Sequence, residues 1–542
     1  MRLTSSNNNI RPMVGFIILF TGFLFFFNIG NRDLWAPDEP RYAQVSKEMR
    51  DSGNFIVPHL NSEPYPDKPP LLFWLINASS LLSGKITPLS ARLPSALAGI
   101  GCCLAVFFFG RRIFQNNRIA LLSSLILATS SKFLWMAHRV AFDVILTFFV
   151  MMALLCFYQG YTEQKNRGWR YILFYVFMAL GVLTKGPIGF ILPFCIVLTY
   201  LFVKRDARTL KATKPWIGGA LFAALVFSWV YLAIIYGGKE YTHQILFKQN
   251  VGRFASSFAH RRPFYYFFIN FPINFMPWSV FIPGVVIYAF SRKGKEKRQH
   301  ILLPAIWFSV IFVFFSITSG KRDIYVLPLY PAASLLTAWF LNELREHAQG
   351  KLIQRLGNYP CYVLCGTAFL LAILFPIAVY HYFPEYCVST IPFEIILIAG
   401  GVVMLRSLKQ ARTIFFTYTL NFVILASFTA GTVWVIPLVN RYKSAKEICD
   451  KASATMKPGD KLAMYNCFGD PYLFYTNNSH IQVMRRLDEL QQFLHSPERV
   501  FLFIQEKDFK AVSKSLEMPV FVLEKDSIGH RDILFVSNKD IL

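Results

Sequence analysis

At 542 residues, with 54% hydrophobic side chains, 55 Phe and only 16% charged side chains, the chain is too apolar to spend its length on soluble domains. Its formal charge of +25 does not signal nucleic acid, because Lys and Arg punctuate apolar segments instead of gathering on a soluble module with a binding motif. What remains is a polytopic α-helical membrane protein whose basic residues set topology and meet anionic membrane lipids.

Residues 12–28 are nearly all apolar behind Arg2 and Arg11, like the start of a signal peptide. No small-x-small cleavage pattern follows, so they read as an uncleaved first span with the N-terminus in the cytoplasm. The long loop 29–89 comes next and carries two charged runs, Leu34-Trp35-Ala36-Pro37-Asp38-Glu39-Pro40-Arg41-Tyr42 and Tyr65-Pro66-Asp67-Lys68-Pro69-Pro70. Tyr42, Val45 and Met49 have helical spacing, which predicts an amphipathic helix over 38–52 lying at the membrane surface; Leu71–Leu82 predicts a second one.

Further spans are predicted at 90–110, 119–136, 142–160, 171–184, 186–203, 216–236, 277–290, 301–318, 326–342, 360–380, 390–406 and 413–437, about thirteen in all with the first. Taken alternately across the bilayer, they leave short basic connections inside. The mixed-sign loops 29–89, 137–141, 237–276 and 319–325 fall outside, together with everything after 437. From about 440 the composition turns soluble. Strand-length runs at 461–465, 481–484, 500–504, 520–523 and 533–536, with helical spacing at 488–494 and 508–516, predict a small α/β periplasmic domain. The expected division is therefore a membrane domain over 1–439 and a soluble domain over 440–542. Gly469-Asp470-Pro471 reads as a turn. Of nine cysteines most lie in apolar runs, and Cys387, Cys449 and Cys467 leave room for one disulfide without demanding it.

Placing carboxylates and cations beside a bilayer incurs a desolvation cost that packing does not require, which points to a site. Asp38 and Glu39 either cap the first turn of their helix or serve chemistry, and Arg41 shares a face with Asp38. Lys68 is a compact cation suited to phosphate, and Asp67 a hard ligand suited to a divalent metal; the alternative is an Asp–Lys pair at a helix start. Asp143, at the head of an apolar run, is either functional or paired with Arg139. The outer loop after the seventh span interleaves His243, Lys248, Arg253, Arg261 and Arg262 with aromatics, which suits an anionic lipid headgroup, with His243 a candidate metal ligand. Lys321, Arg322 and Tyr325 add cations and a phenol on the same face, and Thr184-Lys185-Gly186-Pro187 joins two spans there.

The first run, continuing to Ile56-Val57-Pro58-His59-Leu60, with Asp67-Lys68-Pro69, Thr184-Lys185-Gly186, the His243–Phe264 loop, Pro277-Trp278 and Gly320-Lys321…Tyr325, resembles the bacterial aminoarabinose transferases. These are GT-C glycosyltransferases related to protein O-mannosyltransferases. The resemblance implies that Asp38 is the key acid, with Glu39 beside it and Asp143 its partner. It implies that Arg41, Tyr65, Lys68 and Tyr325, joined by Arg253 and Lys321, hold the donor phosphate, and that Asp67 and His243 match positions for a divalent metal. Where the family tends to carry Glu before the Lys, this chain has Asp67. The implied activity is inverting transfer of a sugar, 4-amino-4-deoxy-L-arabinose, from a polyprenyl-phosphate-linked donor to lipid A or another envelope glycoconjugate at the bacterial inner membrane. The alternatives are transfer to protein or another glycan, and a lipid or solute transporter.

Overall fold

The computed structural model describes residues 10–163, 167–245, 261–346, 351–467, 469–478 and 480–540. The chain divides into two compact units. One takes Met1–Phe27, Pro66–Leu72 and Pro94–Trp434; the other takes Asn28–Tyr65, Phe73–Leu93 and Val435–Leu542.

The first unit is a helical membrane protein. Among the described residues eight helices are long and apolar enough to cross a bilayer: Pro88–Phe114, Phe142–Thr162, Pro215–His243, Lys297–Ile317, Asp323–Glu346, Ile353–Tyr382, Pro384–Lys409 and Thr413–Lys443. Two bent pairs raise the number to ten. Asn117–Thr129 meets Ser131–Ala137 at 69°, and Tyr266–Asn274 meets Trp278–Phe290 at 115°. The Tyr266–Asn274 helix lies in what the sequence assigned to a loop. Its aromatic, Asn- and Pro-containing run has no amphipathic stripe to read, yet Phe267 and Phe271 are buried. The Arg167–Lys185 and Ile188–Lys204 helices turn sharply at Gly186 (φ 79°) and touch through glycine. A Cβ on Gly189 would lie 2.1 Å from the carbonyl carbon of Gly181, so no side chain fits between the two backbones.

The second unit is built on a five-stranded sheet, β4-β3-β5-β7-β6, with β3 Lys461–Tyr465, β4 Gln482–Met484, β5 Val500–Gln505, β6 Phe521–Ile528 and β7 Arg531–Ser537. β3 pairs in parallel with β4 and β5, and β7 runs antiparallel to β5 and β6. Every residue of β5 is buried, as a central strand covered on both faces requires. Leu462, Met464, Phe501, Phe503 and Phe535 pack on one face; Ala463, Tyr465, Leu502, Ile504 and Val536 pack on the other. Cys449 and Cys467 are buried in this domain, and all nine cysteines are free thiols.

The same unit contains most of the first loop. The predicted helix forms over Asp38–Ser52, with Asp38 and Glu39 at its positive end, Arg50 in its last turn and Gly53 (φ 70°) closing it in the left-handed conformation. Glu39, Gln44 and Ser46 are buried along with Tyr42, Val45 and Met49, while Lys47, Glu48 and Arg50 stay partly exposed on the other side and Asp51 and Ser52 are exposed. A short hairpin, β1 His59–Leu60 against β2 Glu63–Pro64, follows, and Leu60 packs on the core of the sheet domain. Leu71–Ser80 forms the second loop helix.

Candidate active site

Adjacent acids have opposite surroundings in the first loop. Glu39 is wholly buried and its two oxygens are occupied. Arg32 reaches both, at 2.7 and 3.1 Å, and Arg92 reaches both, at 2.8 and 3.2 Å, while the Trp35 N–H donates at 3.1 Å. Arg92, also fully buried, spends its other donors on the carbonyls of Ile29, Arg32 and Asp33. The guanidinium of Arg32 stacks 4.3 Å from the centre of the Trp35 ring. This cage fixes the turn Arg32–Pro37 and the first turn of the helix. Asp38 is left half-buried at the start of that helix, with the Tyr42 hydroxyl 3.5 Å from its Oδ1.

Arg41, one turn on, does not pair with Asp38. Its Nε donates to Oδ2 of Asp470 at 2.8 Å and its Nη2 lies 2.7 Å from the same oxygen. Gly469-Asp470-Pro471 is therefore not the expected turn: Asp470 opens the Asp470–Tyr475 helix, with Pro471 at a first-turn position where its missing N–H is harmless. Burial pushes the Asp470 carboxyl up from its ordinary range and Arg41 pulls it back. Tyr65 is buried, its N–H donating to the Pro58 carbonyl at 2.8 Å and its ring set edge-on to Phe73. A polar cavity of about 630 Å³ lies beside the same helix, lined by Gln44, Lys47, Glu48, His59 and Asn477 among others, and it includes none of the predicted site residues.

The membrane unit has its own cluster. Asp143 is 4% exposed in the first turn of Phe142–Thr162, and its carboxylate takes the ammonium of Lys185, from the last turn of Arg167–Lys185. The start of one helix thus meets the end of the next, so both side chains sit where the helix dipoles favour their charge. Lys185 also lies 4.7 Å from the centre of the Tyr325 ring. Asp143 thus pairs with Lys185 and not with Arg139, the alternative partner; the Arg139 guanidinium lies 5.9 Å from the centre of the Trp135 ring. A second pair, Lys132 with Asp323, stands two residues before Tyr325.

Lys321 is buried and donates to the carbonyls of Arg262, at 3.0 Å, and Thr318, tying together two stretches that also meet as an isolated bridge between Arg261 and Gly320. Burial lowers its ammonium from the usual lysine range. Asp67 and Lys68 are half-buried just before the Leu71–Ser80 helix, and His243 is exposed in the last turn of Pro215–His243. Arg253 and Lys248 lie outside the described residues. Among the described residues no three His, Cys, Asp or Glu side chains gather as a metal site.

A family profile described as dolichyl-phosphate-mannose-protein mannosyltransferase matches residues 67–232. A protein of Aquifex aeolicus is 34% identical over 59% of this chain, which spans 62% of that protein's length. The undecaprenyl phosphate-alpha-4-amino-4-deoxy-L-arabinose arabinosyl transferase of Aeromonas hydrophila subsp. hydrophila is 27% identical over 90% of this chain and 89% of its own. The crystal structure of ArnT from Cupriavidus metallidurans bound to undecaprenyl phosphate superposes with a TM-score of 0.80, covering 97% of this chain and 99% of ArnT at 20% identity. The chain is similar in sequence to these arabinosyl transferases along most of its length. Its fold is that of ArnT, a GT-C-like polytopic membrane protein with a small C-terminal α/β domain.

Proposed function

We propose that this chain is an inverting GT-C glycosyltransferase of the bacterial inner membrane that moves 4-amino-4-deoxy-L-arabinose from undecaprenyl phosphate to a phosphate of lipid A. One observation carries the reading. A chain that superposes along 97% of its length on a transferase bound to undecaprenyl phosphate carries Asp38 at the start of one helix, in the unit that also holds Arg41 and Tyr65, and Asp143 at the start of another, beside Lys185 and Tyr325.

The acceptor phosphate oxygen attacks the anomeric carbon as the bond to the donor phosphate breaks, leaving undecaprenyl phosphate and an inverted sugar linkage. Arg41, Lys68, Tyr65 and Tyr325, with Arg253, take the charge that grows on the leaving phosphate. Asp38 and Asp143 balance positive charge building on the sugar ring. The acceptor phosphate is already ionised near neutral pH, so Asp38 orients it and need not remove a proton. Glu39 braces the helix that carries Asp38, Lys185 keeps Asp143 in place, and Lys321 ties its loop. No step runs through a metal.

The ten spans, with the helices Arg11–Phe26, Arg167–Lys185 and Ile188–Lys204, make the thirteen crossings of this reading. In this reading the N-terminus is cytoplasmic, and the site and the 440–542 domain are periplasmic, behind a membrane domain over 1–439. The match of residues 67–232 to the mannosyltransferase profile favours a second reading for the acceptor alone, a protein or glycan hydroxyl, for which Asp38 would serve as base.

The test is purified protein in detergent with undecaprenyl-phosphate aminoarabinose and lipid A. Consumption of donor with no second compartment supports a transferase over a transporter. Mass spectrometry of lipid A and of envelope glycoproteins, with and without the chain, decides the acceptor.

A further inference from the structure

Arg41 is drawn to the C-terminal domain by a single residue. Its side chain is 24% exposed while that of Asp470 is 11% exposed, so the carboxylate is the more enclosed member of the pair. Asp470 takes the edge made by Nε and Nη2 through one oxygen. The other edge, Nη1 with Nη2, is the planar fork that matches a phosphate.

A pair this buried is a weak source of stability, since removing two charges from water costs about what their attraction returns. Simple adhesion does not need it. The same stretch of the domain already grips the loop elsewhere: the Leu34 N–H donates to the Tyr475 hydroxyl at 2.6 Å, Lys47 donates to Asn477, and the Ile481 N–H donates to Asn61 at 2.8 Å. Those contacts hold backbone or distant side chains. The Asp470 contact alone among them aims a cation that belongs to the Asp38 helix turn.

We propose that Asp470 is a positioning residue: it orients Arg41 so that the guanidinium edge it does not hold meets the donor phosphate, which makes the C-terminal domain a working part of the transferase site. This rests on the transferase reading above.

The test is steady-state kinetics of the full-length protein in detergent, varying undecaprenyl-phosphate aminoarabinose and lipid A separately, with a melting temperature for each variant. Asp470→Asn, which keeps the shape and removes the charge, is expected to raise the donor KM at least tenfold and leave the acceptor KM and the melting temperature near wild type. Asp470→Glu, which keeps the charge but displaces it by a methylene, is expected to fall between the two. Arg41→Ala with Asp470→Asn is expected to be no worse than Arg41→Ala alone. As a control, Asn477→Gly removes the partner of Lys47 at a position whose φ of 58° glycine adopts freely, and should leave the donor KM unchanged.

Wild-type donor KM in both Asp470 variants overturns the inference while the transferase reading stands. So does a parallel rise of both KM values with a lowered melting temperature, or an equal rise in Asn477→Gly, because each marks general loosening. A wild-type protein that consumes no donor sinks the transferase reading and the inference together.

Discussion

Glu39 and Asp143 are both enclosed carboxylates, and the molecule answers them differently. Glu39 in the first loop is clamped by two guanidinium groups and a backbone N–H, and one of those guanidinium groups spends its remaining donors on three carbonyls. Asp143 in the membrane unit faces one lysine on a flexible stem, with a tyrosine ring beside it. An acid held from all sides cannot move toward a substrate or exchange its partner; an acid held by a single mobile ammonium can. Under the proposed function the first arrangement is scaffolding and the second serves the chemistry.

Substitutions should separate the two. The largest effect on turnover is expected at the residue the scaffold presents: Asp38→Asn should abolish transfer in the detergent assay, at least 10³-fold in kcat, with protein still folded in the membrane, and full activity would refute its role. Asp143→Asn should lower kcat about 10²-fold, in line with the loss of one electrostatic group from a site, with little change in thermal unfolding. Glu39→Gln should act in reverse, on folding: breaking a buried pair costs about 3–5 kcal/mol, read as a marked fall in melting temperature and yield. If Glu39→Gln melts like wild type and loses only turnover, the contrast between the acids is mistaken.

The smallest effect marks the solvent-facing limit. Burial pushes the Asp460 carboxyl up, but the Arg499 guanidinium and the Lys457 N–H more than offset this and hold it below its ordinary range. Its stabilising contribution is therefore present at neutral pH and fades as pH drops below about 4. Asp460→Asn should lower the melting temperature slightly at pH 7 and flatten the acid limb of the profile, so that variant and wild type converge below about pH 4.

Elements that depend on local pattern were legible in the sequence. The Asp38–Ser52 helix and β3 have the predicted bounds, and the other predicted strands and helices of the C-terminal domain overlap the observed ones, while the helices Lys446–Thr455 and Asp470–Tyr475 were not foreseen. The first charged run flagged Asp38, Glu39 and Arg41, and a lone acid at the head of an apolar run flagged Asp143. Their partners were hidden. Arg92 is 53 residues from Glu39, Lys185 is 42 from Asp143 and Asp470 is 429 from Arg41, separations that no periodicity reports. Asp470 was further disguised by Gly469 and Pro471, since the residues that favour a turn also start a helix. Lys185 had the look of an interfacial anchor, because nothing in Thr184-Lys185-Gly186 shows that a carboxylate waits at the head of the preceding helix.

The meeting of Gly181 and Gly189 has a consequence for that carboxylate. Lys185 is the midpoint between the two glycines, so the spacing of the two backbones sets how far its ammonium reaches. A single methyl group on Gly189 has nowhere to go and must prise the helices open at the end that bears the lysine. Gly189→Ala would then strip Asp143 of its counter-charge from a distance, a lesion in catalysis written entirely in carbon.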